Sequence, residues 1–153
     1  MKIVYVLGFL CDLSTGEVLL IEKKRGPQYV VGRWNGLGGK VNEGEELQDA
    51  MSRKFLEEAG VVTSSREWEP RGLLQVCQES DGKPICDIHV FRCVSSEIMN
   101  TVKTTLRERG NPADETIRPI PLAAMPSNVV PNVPWLLAAS LDQTLCSFRA
   151  NYV

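Results

Sequence analysis

The sequence predicts one mixed α/β (α+β) domain, in which strands precede and follow a single dominant helix. Three observations carry this. Near-continuous apolar runs of strand length open the chain at Ile3–Cys11 and resume at Val18–Ile21. An amphipathic stretch follows, with Leu47, Ala50, Met51 and Phe55 at three- and four-residue spacing. Two more strand candidates, Leu73–Cys77 and Ile85–Cys93, come after it. At 153 residues and 17.0 kDa the chain suits a single domain, residues 1–153, large enough to bury a core.

Composition narrows the function. The chain is 43% hydrophobic and 24% charged, as soluble globular proteins are. A net charge of −2 and a pI near 5.5 give no footprint for general nucleic-acid binding. No apolar run approaches a membrane span, and the N-terminus lacks a cleavage-site pattern, so a cytoplasmic protein is expected. Cys11, Cys77, Cys86, Cys93 and Cys146 are odd in number, lie mostly in strand-like runs and lack metal-ligand spacing. Buried free thiols in a reducing compartment are expected.

In chain order, Asp12–Gly16 is a turn signal that makes the first two strands a hairpin or neighbours. Lys23, Lys24 and Arg25 follow at a strand end, where cations are either merely solvated or able to reach a polyphosphate. Pro27–Gly32 reads as a loop leading into Arg33-Trp34-Asn35-Gly36. Gly36-Leu37-Gly38-Gly39 reads as a glycine-rich loop, whose backbone amides can approach a ligand because no Cβ intervenes. Glu43 and Glu45 fall at or near the first helical turn, where the helix dipole favours negative charge, and Gly60 suits a C-terminal cap. Lys54, Glu57 and Glu58 share one surface of the helix. Adjacent carboxylates beside a phosphate-type loop suit a divalent metal acting on a diphosphate. The same charges also suit an ordinary solvated face with i,i+4 pairs.

His89, the only histidine, is expected as a strand residue facing a polar neighbour or solvent. Ser95–Asn111 has helix formers but a poor apolar pattern, and is expected as a mobile polar insertion. Asp114–Ile120 leads into a short strand, proline-rich turns follow, and Pro134–Leu141 reads as a C-terminal helix with proline in its first turn.

The stretch from Gly39 to Val61 resembles the Nudix box, G-x5-E-x7-R-E-U-x-E-E-x-G-U, with U bulky and apolar. Gly39, Glu45, Arg53, Phe55, Glu57, Glu58, Gly60 and Val61 fill eight of its nine defined positions, and the ninth carries Lys54 in place of Glu. Lys23-Lys24-Arg25-Gly26, Gly32–Val41, Asp87–Phe91 and Asp114-Glu115 with Arg118-Pro119 look like the MutT-like branch that hydrolyses oxidised purine nucleoside triphosphates. The resemblance implies the Nudix fold, a mixed sheet sandwiched between helices. It also implies Mg²⁺-dependent hydrolysis (Mn²⁺ substituting) of a nucleoside triphosphate to a monophosphate and pyrophosphate.

By the same resemblance, Glu57, Glu58 and Glu115 hold the metal, Glu58 or Glu115 serves as base, and Arg53 orients Glu57. Lys23 approaches the nucleotide, Asn35 reads the base edge, and the Gly38-Gly39 backbone and Lys40 cradle phosphate oxygens. Where the branch has late Asp residues and a Trp, this chain has Asn132, able to hydrogen-bond a base, and Trp135, which is either an aromatic wall or, more commonly for a C-terminal Trp, part of the core. Two other readings accompany it: a hydrolase of ADP-ribose, dinucleotides or capped RNA, and a weakly catalytic nucleotide-binding module. Lys54 cannot ligate Mg²⁺, so it either replaces a metal's charge on phosphate or neutralises Glu57 and Glu58. A monomer or homodimer is expected.

Overall fold

The computed structural model describes residues 2–145 and 147–152. Strand β1 (Ile3–Asp12) runs down the middle of an eight-stranded sheet, and β2 (Glu17–Glu22) follows after a tight turn. Both strands are apolar on successive residues because both faces are covered. Val6, Leu10, Leu19 and Ile21 point into one core, while Leu7, Phe9, Cys11, Val18 and Leu20 point into the other. This is the period of two that a pleated strand imposes.

The first core is closed by α1 (Leu47–Ala59) and α2 (Ser96–Arg109), the second by α3 (Val133–Leu141). The mixed sheet between helices is therefore the architecture the sequence predicts. Strands β5 (Glu69–Cys77) and β6 (Pro84–Val94) form an antiparallel pair, and β6 runs parallel to β1 from Ile3↔Cys86 to Cys11↔Val94. Strand β7 (Thr116–Pro121) pairs with β2. No helix among the described residues is long and apolar enough to cross a membrane.

The glycine-rich stretch departs from its expected loop form. Trp34–Asn35 is a short strand, β3, on β2, and Leu37–Lys40 is β4, antiparallel to β1 at Tyr5↔Lys40 through Gly8↔Leu37. A Cβ at Gly38 would collide with the Val6 carbonyl oxygen, so glycine serves here for close approach between strands. Glu43 and Glu45 precede the helix, whose N-cap is Glu46. Gly60 ends it as expected, in the left-handed region at φ 73° with its N–H donated to Leu56 O.

The expected insertion at Ser95–Asn111 is instead α2, a helix packed on the first core. Ser95 caps it by accepting Ile98 N–H at 3.1 Å, and Met99 and Val102 are fully buried. Its apolar stripe is narrow, which is why periodicity alone is weak there. Tethers compensate: Lys103 Nζ pairs with Glu17 on β2 at 2.6 Å. Buried Asp12, at the end of β1, accepts hydrogen bonds from Ser14 Oγ and Ser96 Oγ, each at 2.6 Å. The C-terminal strand β8 (Phe148–Tyr152), parallel to β5, has no counterpart in the sequence reading. Cys11, Cys77, Cys86 and Cys93 are buried free thiols, as expected, and Cys146 lies outside the described residues.

Met99→Ala is expected to lower unfolding free energy by about 2–5 kcal/mol, because it opens a cavity under α2. A urea titration checks this, and a loss below about 0.5 kcal/mol would return the segment to a loosely attached insertion. Hydrogen bonds from the Ser14 and Ser96 hydroxyls hold the Asp12 carboxyl at about 2, below its ordinary 3.8. A depressed folded-state value stabilises the fold above the unfolded value, and the contribution disappears as pH falls through the folded one. The stability gap between the parent and Asp12→Asn is thus expected to close between about pH 4 and about pH 2, followed by urea midpoints.

Candidate active site

The site lies where β4, the end of β2, and the last turns of α1 meet. Glu58 enters from α1 and is buried, its side chain 7% exposed. One carboxylate oxygen accepts the Gly38 N–H at 2.8 Å, and the other accepts the Lys23 ammonium at 3.3 Å. Burial pushes its pKa up, while Lys23 and the Gly38 amide pull the other way without cancelling the rise. Lys23 bridges onward to Glu115 at 3.2 Å. The second Glu115 oxygen accepts the backbone amide of Lys24 at 2.7 Å. Burial works to raise the Glu115 carboxyl, but the Lys24 amide and the Lys23 ammonium outweigh it and hold it below the usual range. Glu58 and Glu115, 57 positions apart in sequence, thus converge on one cation.

Glu57 is engaged differently. Its two oxygens accept Arg53 Nη1 at 2.9 Å and Lys54 Nζ at 2.8 Å, and the Lys54 bond leads in holding its pKa down. Arg53 also forks onto Glu45 at 2.8 and 2.9 Å and donates to the Lys40 carbonyl at 3.0 Å. The Arg53 fork holds the Glu45 carboxyl at about 2. One guanidinium therefore ties the loop before α1, the helix and β4 together.

Hard oxygen donors are the right chemistry for a divalent ion, and Glu58 with Glu115 already surrounds a positive charge. The pair fits such an ion, with the Lys23 ammonium moving aside. Glu57 faces Lys54 and Arg53 instead, and no three Asp, Glu, His or Cys side chains among the described residues converge as a metal cluster.

These charges border a cleft of about 420 Å³. Lys23, Arg25, Gly38, Gly39 and Lys40 line its polar side, and Leu74, Ile88, Val130 and Leu136 line its apolar side. Asn35 also lines it and commits its carbonyl oxygen to the Gly36 N–H at 2.9 Å, which leaves its NH₂ as the end free to donate. Asn132 lines the cleft from the N-cap of α3, with no side-chain capping bond. Trp135 packs edge-on against Phe148 instead, with ring centroids 6.5 Å apart, and lies outside the cleft lining. His89 lies on β6 opposite Leu73, half-buried and outside the lining, and burial lowers its pKa.

Tyr5, Tyr29, Leu74, Ile88 and Leu136 also line the cleft, and sequence reasoning did not find them. They come from five separate segments, and their only local signal is an aromatic or bulky residue in a strand or loop. Glu45 is a box position, yet its role as Arg53's bidentate partner depends on the loop fold.

The NUDIX domain pattern matches residues 1–130. Two curated relatives carry the name oxidized purine nucleoside triphosphate hydrolase. The one from Danio rerio is 37% identical over 60% of this chain and 56% of its own, and the one from Mus musculus is 40% identical over 52% and 47%. The chain thus spans about half the length of the curated relatives it matches. Among solved structures, a MutT NUDIX hydrolase from Burkholderia pseudomallei superposes with a TM-score of 0.66 at 20% identity, covering 91% of this chain and 98% of that one. The NUDIX domain of Shewanella oneidensis NrtR, in complex with ADP ribose, gives 0.65 at 18% identity, covering 92% and 86%. At those identities the structures speak for the fold alone. The domain match over most of the chain settles the wider relationship: this protein belongs to the Nudix family.

Proposed function

We propose that the protein is a divalent-metal-dependent hydrolase of nucleoside triphosphates, acting on oxidised or otherwise modified purines. It would release a nucleoside monophosphate and pyrophosphate. The observation that carries this reading is Glu58, a buried carboxylate fixed by the Gly38 amide and Lys23, two groups that line the polar side of a cleft whose other side is apolar. A base fits the apolar side and a phosphate chain fits the glycine and lysine side. The names of the two curated relatives support the substrate class.

Mg²⁺, or Mn²⁺ in its place, would be held by Glu58 and Glu115, joined by Glu57 once it leaves Lys54, and would neutralise charge building on the phosphates. The Gly38-Gly39 backbone and Lys40 position phosphate oxygens, and Lys23 donates to the chain when it releases Glu115. Glu58 or Glu115 accepts a proton from the water that attacks phosphorus, and the P–O bond to pyrophosphate breaks. Arg53 keeps Glu57 and β4 in register with the reacting centre. Asn35 and Asn132 offer amides to the base edge.

One observation favours a second reading. Lys54 is already paired with Glu57 at 2.8 Å, as in a module that binds a nucleotide or an ADP-ribose-like diphosphate without turnover. Pyrophosphate release from a panel of ordinary and oxidised purine triphosphates, with Mg²⁺ and with Mn²⁺, decides between the two. The parent is expected to be active, and Glu58→Gln to lose about 10²- to 10⁴-fold in kcat while keeping its circular dichroism spectrum. A silent parent with an active Lys54→Glu variant would instead establish the binding module.

A further inference from the structure

We propose that Lys54 is a resident cation of the phosphate site: its ammonium contacts the phosphate chain directly, replaces the charge of one divalent ion, and leaves room for fewer metals. This inference rests on the triphosphate reading of the cleft.

The side chain is held on two sides. Its Nζ lies 2.8 Å from Glu57, and its stem lies across the backbone of Gly39. A Cβ at Gly39 would collide with Lys54 Cε and sit 3.0 Å from Nζ. The lysine stem thus packs directly on the Gly39 backbone, and a side chain at position 39 would require the end of Lys54 to shift. The Lys54 side chain is only 21% exposed, so much of its rotamer entropy is already lost before a ligand arrives. Gly39 and its neighbours Gly38 and Lys40 line the polar side of the cleft, and this sets the ammonium beside the place a phosphate chain would follow.

The local charge points the same way. Glu115, Lys23 and Glu58 form one chain of alternating charge, and Lys54, Glu57, Arg53 and Glu45 form another. Four carboxylates face three cations, leaving a net charge of −1. With glutamate at position 54 there would be five carboxylates against two cations. A cluster so nearly neutral has little uncompensated charge to hold several divalent ions, whereas an anchored ammonium is a good point-charge partner for phosphate.

The test uses inorganic tripolyphosphate and the full chain. Calorimetry in EDTA measures metal-free tripolyphosphate binding, and electron paramagnetic resonance counts Mn²⁺ bound in its presence. Lys54→Met and Lys54→Gln are both expected to weaken metal-free binding by about 10- to 100-fold, the usual weight of a charge-assisted hydrogen bond. Lys54→Glu is expected to bind one Mn²⁺ more than the parent. The same Mn²⁺ count in parent and Lys54→Glu overturns the proposal, as does metal-free affinity unmoved in the Met and Gln variants or absent in the parent. Neither readout needs turnover. A parent that binds tripolyphosphate through Lys54 yet hydrolyses nothing overturns the hydrolase reading alone, and an active parent indifferent to Lys54 overturns this one alone.

Discussion

The site depends on the Arg53 guanidinium. Four hydrogen bonds from one planar group reach Glu45 before the helix, Glu57 on it, and the Lys40 carbonyl of β4. These elements otherwise have separate reasons to exist: α1 buries Met51 and Phe55 in the core, and β4 completes a ladder on β1. With the burial of Met51 and Phe55, the guanidinium helps fix the rotation of the helix relative to the strand. That rotation brings Glu58 under the Gly38 amide, and lysine, with a single point of charge, could not reproduce the fork.

A second layer of order comes from opposing charges held close together. Glu58 sits in a place that disfavours its charge, and the Gly38 amide and Lys23 compensate it. Glu115 arrives from a distant loop and is pinned by backbone amides next to the same lysine. Because the loop after β2 supplies both Lys23 and those amides, a shift of this loop would alter both carboxylates together. The apolar side of the cleft lacks that coupling, since the second core and α3 form it.

Much of this was legible in the sequence. The β1–β2 run, the α1 periodicity and the glycine stop at residue 60 are local patterns, and each appears as an element or cap. The Arg53–Glu57 contact was also readable, because a four-residue spacing on a helix almost determines it. What escaped depends on tertiary partners. The extended form of Leu37–Lys40 comes from pairing with β1, helix α2 owes its place to Asp12 and Glu17, and β8 exists because β5 offers an edge. Trp135 met the requirement of an aromatic residue near the end of the chain, but its ring belongs to Phe148. The engagement of Glu57 by Lys54 was an open alternative at the level of sequence, since spacing permits the pair without saying where the ammonium rests.

The pairing of β1 also bears on how the chain is made. This strand is made before its long parallel partner, β6, which ends at Val94, and Ile3 finds Cys86 only 83 positions later in the sequence. Until then β1 and β2 form an apolar ribbon with an unpaired edge, and the side chains of both cores are exposed. Such non-local pairing slows folding and leaves nascent chains prone to associate with one another. Polypeptides interrupted between β5 and β6 would carry the glycine-rich strand and the carboxylate helix on β1 and β2, but without the long parallel partner of β1. Association between nascent chains is therefore a hazard for as long as β1 waits for its parallel partner, and it ends when β6 docks.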